Sequence, residues 1–177
     1  MDTFIVSQYI AGVSFLIGIC SFQFKTRRQI LLCWFFADAI NALHFFVLGR
    51  PAAVALLCVS ASRFLTAAHT KDRRWMYLFF VLTIAGFSAT YQHPVSFLVL
   101  ISGILGTYGT FHQADKSVRM ALLFCSVLWV IHNVIVGSPV AVVMELSYLA
   151  SNVIGLWRHH GRDRKSAVAA RTGVILE

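Results

Sequence analysis

The chain has 177 residues, a net charge of +8, and a composition that is 58% hydrophobic and only 12% charged. A soluble domain of that make-up would lack the polar surface to cover its core. At about 20 apolar residues per membrane-crossing helix, the length allows no more than about eight spans and no separate soluble domain, which specifies an all-α integral membrane protein.

In chain order, charge clusters and Gly or Pro turns separate seven apolar segments. The first runs from Thr3 to Gln23; Met1-Asp2-Thr3 lacks the basic n-region of a cleavable signal peptide, so this segment reads as a retained span. The second, Gln29 to Leu48, follows Lys25, Arg27 and Arg28 and turns at Gly49 into the third, Pro51 to Ala68. The fourth, Trp75 to Thr90, follows Lys71, Arg73 and Arg74 and, at about 16 residues, is short for a span. The fifth is Pro94 to Phe111, the sixth Val118 to Val136 and the seventh Pro139 to Trp157.

If the fourth segment did not cross, every later segment would invert, and the count of cations decides against that. With seven crossings, loops 25–28 and 71–74, the turn around Lys116 and Arg119, and the tail after Trp157 share one side and hold thirteen Lys and Arg. The opposite side holds one, Arg50. An excess of Lys and Arg marks the cytoplasmic side, so the amino terminus is expected outside and the basic tail, 159–177, in the cytoplasm beside anionic headgroups. Topology thus accounts for the +8 charge, and no nucleic-acid partner is expected.

Sliding the chain along itself by 88 residues lays His44-x4-Gly49-x-Pro51 on His132-x4-Gly137-x-Pro139, and Ser14-x3-Gly18 on Ser102-x3-Gly106. Gly suits the left-handed residue that ends a helix, and Pro suits the first turn of the next, where no donor is needed. Each motif therefore predicts a tight helical hairpin, while small-xxx-small spacing permits close helix approach in lipid. Three spans per copy would leave the second copy inverted unless one more span intervenes. The expected plan is a SWEET-like 3+1+3 bundle of parallel repeats about a pseudo-twofold axis along the membrane normal. Its parts are repeat one (1–70), a linker helix (71–92), repeat two (93–158) and the tail (159–177).

Trp129-Val130-Ile131-His132-Asn133 with Gly137-Ser138, Met144-Glu145, Asn152 and Trp157-Arg158 resembles the YgjV family of bacterial inner-membrane proteins, and the likeness runs through His44-Phe45-Phe46, Gly49 and Arg63 in the first half. That family is distantly similar to the SWEET and PQ-loop group of small-solute transporters. The resemblance implies a multi-pass inner-membrane location and, by analogy of fold, transport. The chain departs from the SWEET and PQ-loop pattern in that all three prolines begin helices and Ser21-Phe22-Gln23 lacks the proline-glutamine pair.

Ionisable side chains within spans are costly and mark function by default. Counted at about 1.5 Å per residue from the outer turns, Asp38 and Arg63 share a depth near the middle of the second and third spans, and His132 and Glu145 share a shallower one on the sixth and seventh. Each couple is expected to form a buried polar pair: a structural tie, or a gate in the first case and a proton relay or cation site in the second. Glu145, Tyr148 and Asn152 lie on one helix face, opposite the edge formed by Ser60 and Arg63. With Asn41 and Trp129, equivalent under the offset, Ser60, Tyr148 and Asn152 are the expected substrate path. The plainer role for such side chains is interhelical glue.

Cys20, Cys33, Cys58 and Cys125 lie in apolar spans with no C-x-x-C spacing, so no metal or cofactor is expected. Phosphate-cradling loops and nucleophile elbows are missing from the sequence as well. Non-enzymatic function is the expectation, an intramembrane acid-base pair of Glu145 and His132 being the alternative chemistry. The reading is a small-solute transporter or permease of unknown substrate in the bacterial inner membrane, with the lipid bilayer as its surroundings. Its rival is a non-transporting scaffold or partner protein.

Overall fold

A backbone surrounded by lipid has no water to bond, so each apolar segment must satisfy its N–H and C=O groups internally, as a helix. The computed structural model describes residues 3–91, 93–112 and 114–161. Among them are α1 (Thr3–Ser21), α2 (Arg27–Val47), α3 (Pro51–His69), α4 (Arg73–Thr90), α5 (Ser96–Phe111), α6 (Asp115–Ile135) and α7 (Pro139–Leu156), the last running into a π turn at Trp157–Gly161. Four stretches, Thr3–Ser21, Arg27–Val47, Asp115–Ile135 and Pro139–His159, are 19 to 21 residues long and apolar enough to cross a membrane by themselves. The basic tail from 162 onward lies outside the described residues.

Helix α2 starts ahead of its apolar run because the Thr26 side chain accepts from the Gln29 N–H, and α4 does so because Asp72 accepts from the Arg74 N–H. Helix α6 likewise takes in the polar turn from Asp115. Pro94, in contrast, sits in the turn before α5, which begins at Ser96.

The two hairpins, α2 to α3 and α6 to α7, have the same backbone. Gly49 has φ 66° and Gly137 φ 72°. Arg50 N–H donates to Phe45 O at 3.0 Å and Ser138 N–H to Asn133 O at 2.9 Å, after which Pro51 and Pro139 open the next helices. A Cβ at either glycine would meet nothing within 4 Å, so the cost of a side chain there is the backbone alone. Gly49→Ala and Gly137→Ala are each expected to cost about 1 to 2 kcal/mol, and the double variant the sum. Thermal unfolding in detergent measures both.

Helix α1 packs on α2 and α2 on α3; α5 packs on α6 and α6 on α7. The two groups meet where α1 touches α7 and α3 touches α5, and α4 lies against α5 and α3. One end of the bundle holds the α1–α2, α3–α4 and α5–α6 turns with the end of α7, and so most of the cations; it is called the basic end below, and the other the hairpin end. The tightest packing is at the basic end, where Phe22, Ile30, Leu31 and Val118 are at most 1% exposed. Large apolar side chains such as Phe4, Leu16, Phe46, Val81 and Val140 are exposed on the outside of the bundle, a surface that suits lipid and not water.

Candidate functional site

Midway along the bundle, α2 and α3 bring an acid and a base to one place. Arg63 Nη2 donates to Ser60 Oγ at 3.2 Å and Nη1 to Thr107 Oγ1 on α5 at 3.1 Å, and the guanidinium carbon lies 4.7 Å from the centre of the Phe64 ring. The same Ser60 side chain lies beside the Asp38 carboxylate, which is within the electrostatic field of Arg63. Asp38 and Arg63 are therefore brought together beside Ser60. Thr107, which completes the shell from the other group of helices, is fully buried.

A second carboxylate lies on α7. Glu145 lies beside Ser126 on α6. The His132 ring instead meets its neighbour's Asn133 Oδ1 at 3.2 Å and the edge of Trp129 at 5.2 Å between centroids. His132 and Glu145 share a level, but the rotation of α6 turns Ser126 to Glu145. His44 is also a fastening: its Nδ1 lies 2.8 Å from Ser7 O, tying α2 to the start of α1.

Tyr148 stands between the two acids, in the field of both Asp38 and Glu145. Its ring packs edge-on against Phe15 and Trp34, each 5.3 Å away. Gly18 makes room for it, since a Cβ there would lie 2.7 Å from Tyr148 Cε1. The small residues of the first span thus have separate tasks: Ser14 Oγ donates to Ala37 O at 2.8 Å, while Gly18 admits the aromatic ring. Of the other expected path residues, Asn41 and Trp129 are half-buried towards the hairpin end. Asn152 is not at this level; it is buried near the basic end, where its Nδ2 donates to Arg119 O at 2.8 Å.

Two buried arginines that read in the sequence as loop cations hold the basic end. Arg27 donates from Nε and Nη2 to Thr110 O and from Nη2 to Ala67 O, and its backbone N–H donates to Asp115 Oδ1 at 2.7 Å. Arg119, fully buried, donates from Nη1 to Phe22 O at 2.8 Å and from Nη2 to Phe24 O. The only sequence signal for either was adjacency to the turns between spans.

The Imp-YgjV family, bacterial inner membrane proteins, matches residues 5–163. The chain belongs to the YgjV family. One relative, the inner membrane protein YgjV of Escherichia coli strain K12, is 32% identical over 165 residues, covering 92% of this chain and 90% of the relative. No solved structure matches. Family membership makes this a bacterial inner membrane protein, and helices able to span the bilayer agree with it. The Gly49 and Gly137 hairpins, the Asp38, Ser60 and Arg63 cluster and both buried arginines all lie within the stretch that the YgjV family matches.

Proposed function

We propose that this YgjV-family protein is a small-solute transporter or permease, without enzymatic activity, built as a SWEET-like 3+1+3 bundle of seven spans. Its repeats are α1–α3 and α5–α7, about 1–70 and 93–158, with α4 as the linker and the basic end in the cytoplasm. The observation that carries the reading is the charged centre at mid-bundle, Asp38 with Ser60 and Arg63, with Glu145 beside Ser126 somewhat nearer the hairpin end, set where the two helix groups meet. Ionisable groups at that depth are expensive to keep unless they serve passage of something polar.

Support for the repeat comes from contacts that recur under the 88-residue offset. Ser14 Oγ bonds Ala37 O, and Cys125 Sγ bonds Ser102 O, the same two positions with donor and acceptor exchanged. Ser151 on α7 donates to Ile19 O on α1, while Arg63 on α3 donates to Thr107 on α5, again the same two positions. Asp38 on α2 lies beside a serine of α3, whereas Glu145 on α7 lies beside Ser126, the residue of α6 that corresponds to Asp38.

One observation favours the rival, a scaffold that transports nothing: the Tyr148 ring fills the space between Gly18, Phe15 and Trp34. Access to the centre separates the readings. With Cys20, Cys33, Cys58 and Cys125 replaced, Ser60→Cys is expected to react with a membrane-impermeant maleimide, in whole cells and, at some rate, in inverted vesicles. Protection from both sides, with the protein folded and hairpin-turn cysteines reactive, establishes the scaffold.

A further inference from the structure

The contacts between the two helix groups are unevenly placed along the bundle. Among the described residues, every hydrogen bond and ring contact that joins α1–α3 to α5–α7 or its π turn lies at the level of Phe15, Gly103 and Tyr148 or nearer the basic end. Ser7, His44 and Asn133 are buried at the hairpin end within their own helix groups, whereas the residues about the seam between the groups differ from one end to the other. Near the basic end Arg119, Phe22, Thr110 and Asn152 are at most 1% exposed. Towards the hairpin end Asn41, Trp129, His132 and Glu145 are all only half-buried.

The seal at the basic end is made largely by two guanidinium groups reaching in opposite directions. Arg27 of the first group grips the end of α5 at Thr110 O, and Arg119 of the second grips the chain after α1 at Phe22 O and Phe24 O. Thr110 and Phe22 are equivalent under the 88-residue offset, and the bond from Arg27 N–H to Asp115 joins two equivalent positions, as a contact on the pseudo-twofold axis would. Cations at helix carboxyl ends are favourable, because those carbonyls carry partial negative charge and lack helical partners. These bonds connect the two groups to each other and neither to itself, apart from Arg27 to Ala67 on α3. A planar guanidinium offers several donors at once, so one side chain can span two carbonyls. None of the bonds is covalent, and carbonyls at helix ends can exchange a guanidinium for water once the ends part.

We propose that Arg27 and Arg119 form the cytoplasmic gate of this protein, a reciprocal latch that is closed in this structure and leaves the polar centre facing the hairpin end, outside the cell. The gate rests on the transport reading above. Rocking one helix group against the other would release four guanidinium-to-carbonyl contacts at this end, and the hairpin-end halves, which make no described bonds to each other, would close in exchange.

The test reads the side from which the centre is reached. In the cysteine-replaced background carrying Ser60→Cys, the maleimide is expected to react at least tenfold faster in whole cells than in inverted vesicles. Adding Arg27→Gln and Arg119→Gln together is expected to raise the rate in inverted vesicles at least tenfold. Arg27→Lys or Arg119→Lys, which keeps the charge but spans two carbonyls poorly, is expected to give an intermediate rate and serves if the double variant does not fold. An inside rate unchanged in folded variants, with residue 60 still labelled from outside, overturns the latch and leaves the transport reading standing. A lower melting temperature with an unchanged side preference also overturns it, since that is what a purely structural arginine would produce. Protection of residue 60 from both sides in every variant overturns the transport reading itself, and the gate with it.

Discussion

Asp38→Asn is expected to destabilise the protein by about 1 to 3 kcal/mol, the cost of leaving a desolvated polar group without a partner. The reason lies with what remains. The donors of Arg63 reach Ser60 Oγ, Thr107 Oγ1 and Gly103 O, all of them neutral, and its Nε has no partner among the described residues. Without Asp38 the guanidinium keeps its neutral hydrogen bonds but loses the nearest anion that offsets its charge. Replacing both residues by apolar ones of similar size, Asp38→Leu with Arg63→Met, is expected to recover most of the loss, because neither charge then needs to be desolvated. Unfolding in detergent followed through the double-mutant cycle measures the coupling. Losses that simply add would show that Ser60 insulates the two charges instead of joining them.

Gly155→Ala carries the second large effect. A Cβ at Gly155 would lie 3.2 Å from the Phe22 carbonyl carbon and 2.5 Å from Arg119 Nη1, and closer still to the carbonyl oxygen that Arg119 grips. The backbone of the turn after α1 cannot give way as a flexible side chain would, so α7 must shift. A loss of about 1 to 3 kcal/mol is expected, as for other overpacked sites. The methyl also drives Arg119 from Phe22 O, and so the inside labelling rate at residue 60 is expected to rise as it does for the Arg119 variants. Gly12→Ala on α1 is the control: nothing lies within 4 Å of a Cβ there, and alanine in a helix interior is about 0.5 to 1 kcal/mol better than glycine. Melting curves and the side-selective labelling rate distinguish the two glycines.

Both effects concern contacts between residues far apart in the chain, and this marks the boundary of what the sequence could say about the site. The depth shared by Asp38 and Arg63 follows from rise per residue, a quantity any helix supplies. The level shared by His132 and Glu145 follows in the same way, yet these two are not partners, since depth does not specify rotation about the helix axis. Packing of α6 on α7 turns Ser126 towards Glu145 and leaves His132 against Trp129 and Asn133. Asn152 shows the same limit. It lies on the helix face of Glu145 and Tyr148, one to two turns further on, which carries it out of the centre to the carbonyl of Arg119.

By itself the sequence determined the membrane class, the helical segments, the basic end and the two hairpins. These depend on local quantities: apolar length, the count of Lys and Arg, the left-handed freedom of Gly49 and Gly137, and the fixed φ of Pro51 and Pro139. Only the tertiary structure decided what Arg27 and Arg119 do. Both sit among loop cations, and their acceptors, Thr110 O, Ala67 O, Phe22 O and Phe24 O, are backbone carbonyls separated from them by 40 to 97 residues. A carbonyl has no letter in a sequence; it becomes an arginine site only where two helix ends and a guanidinium are packed together.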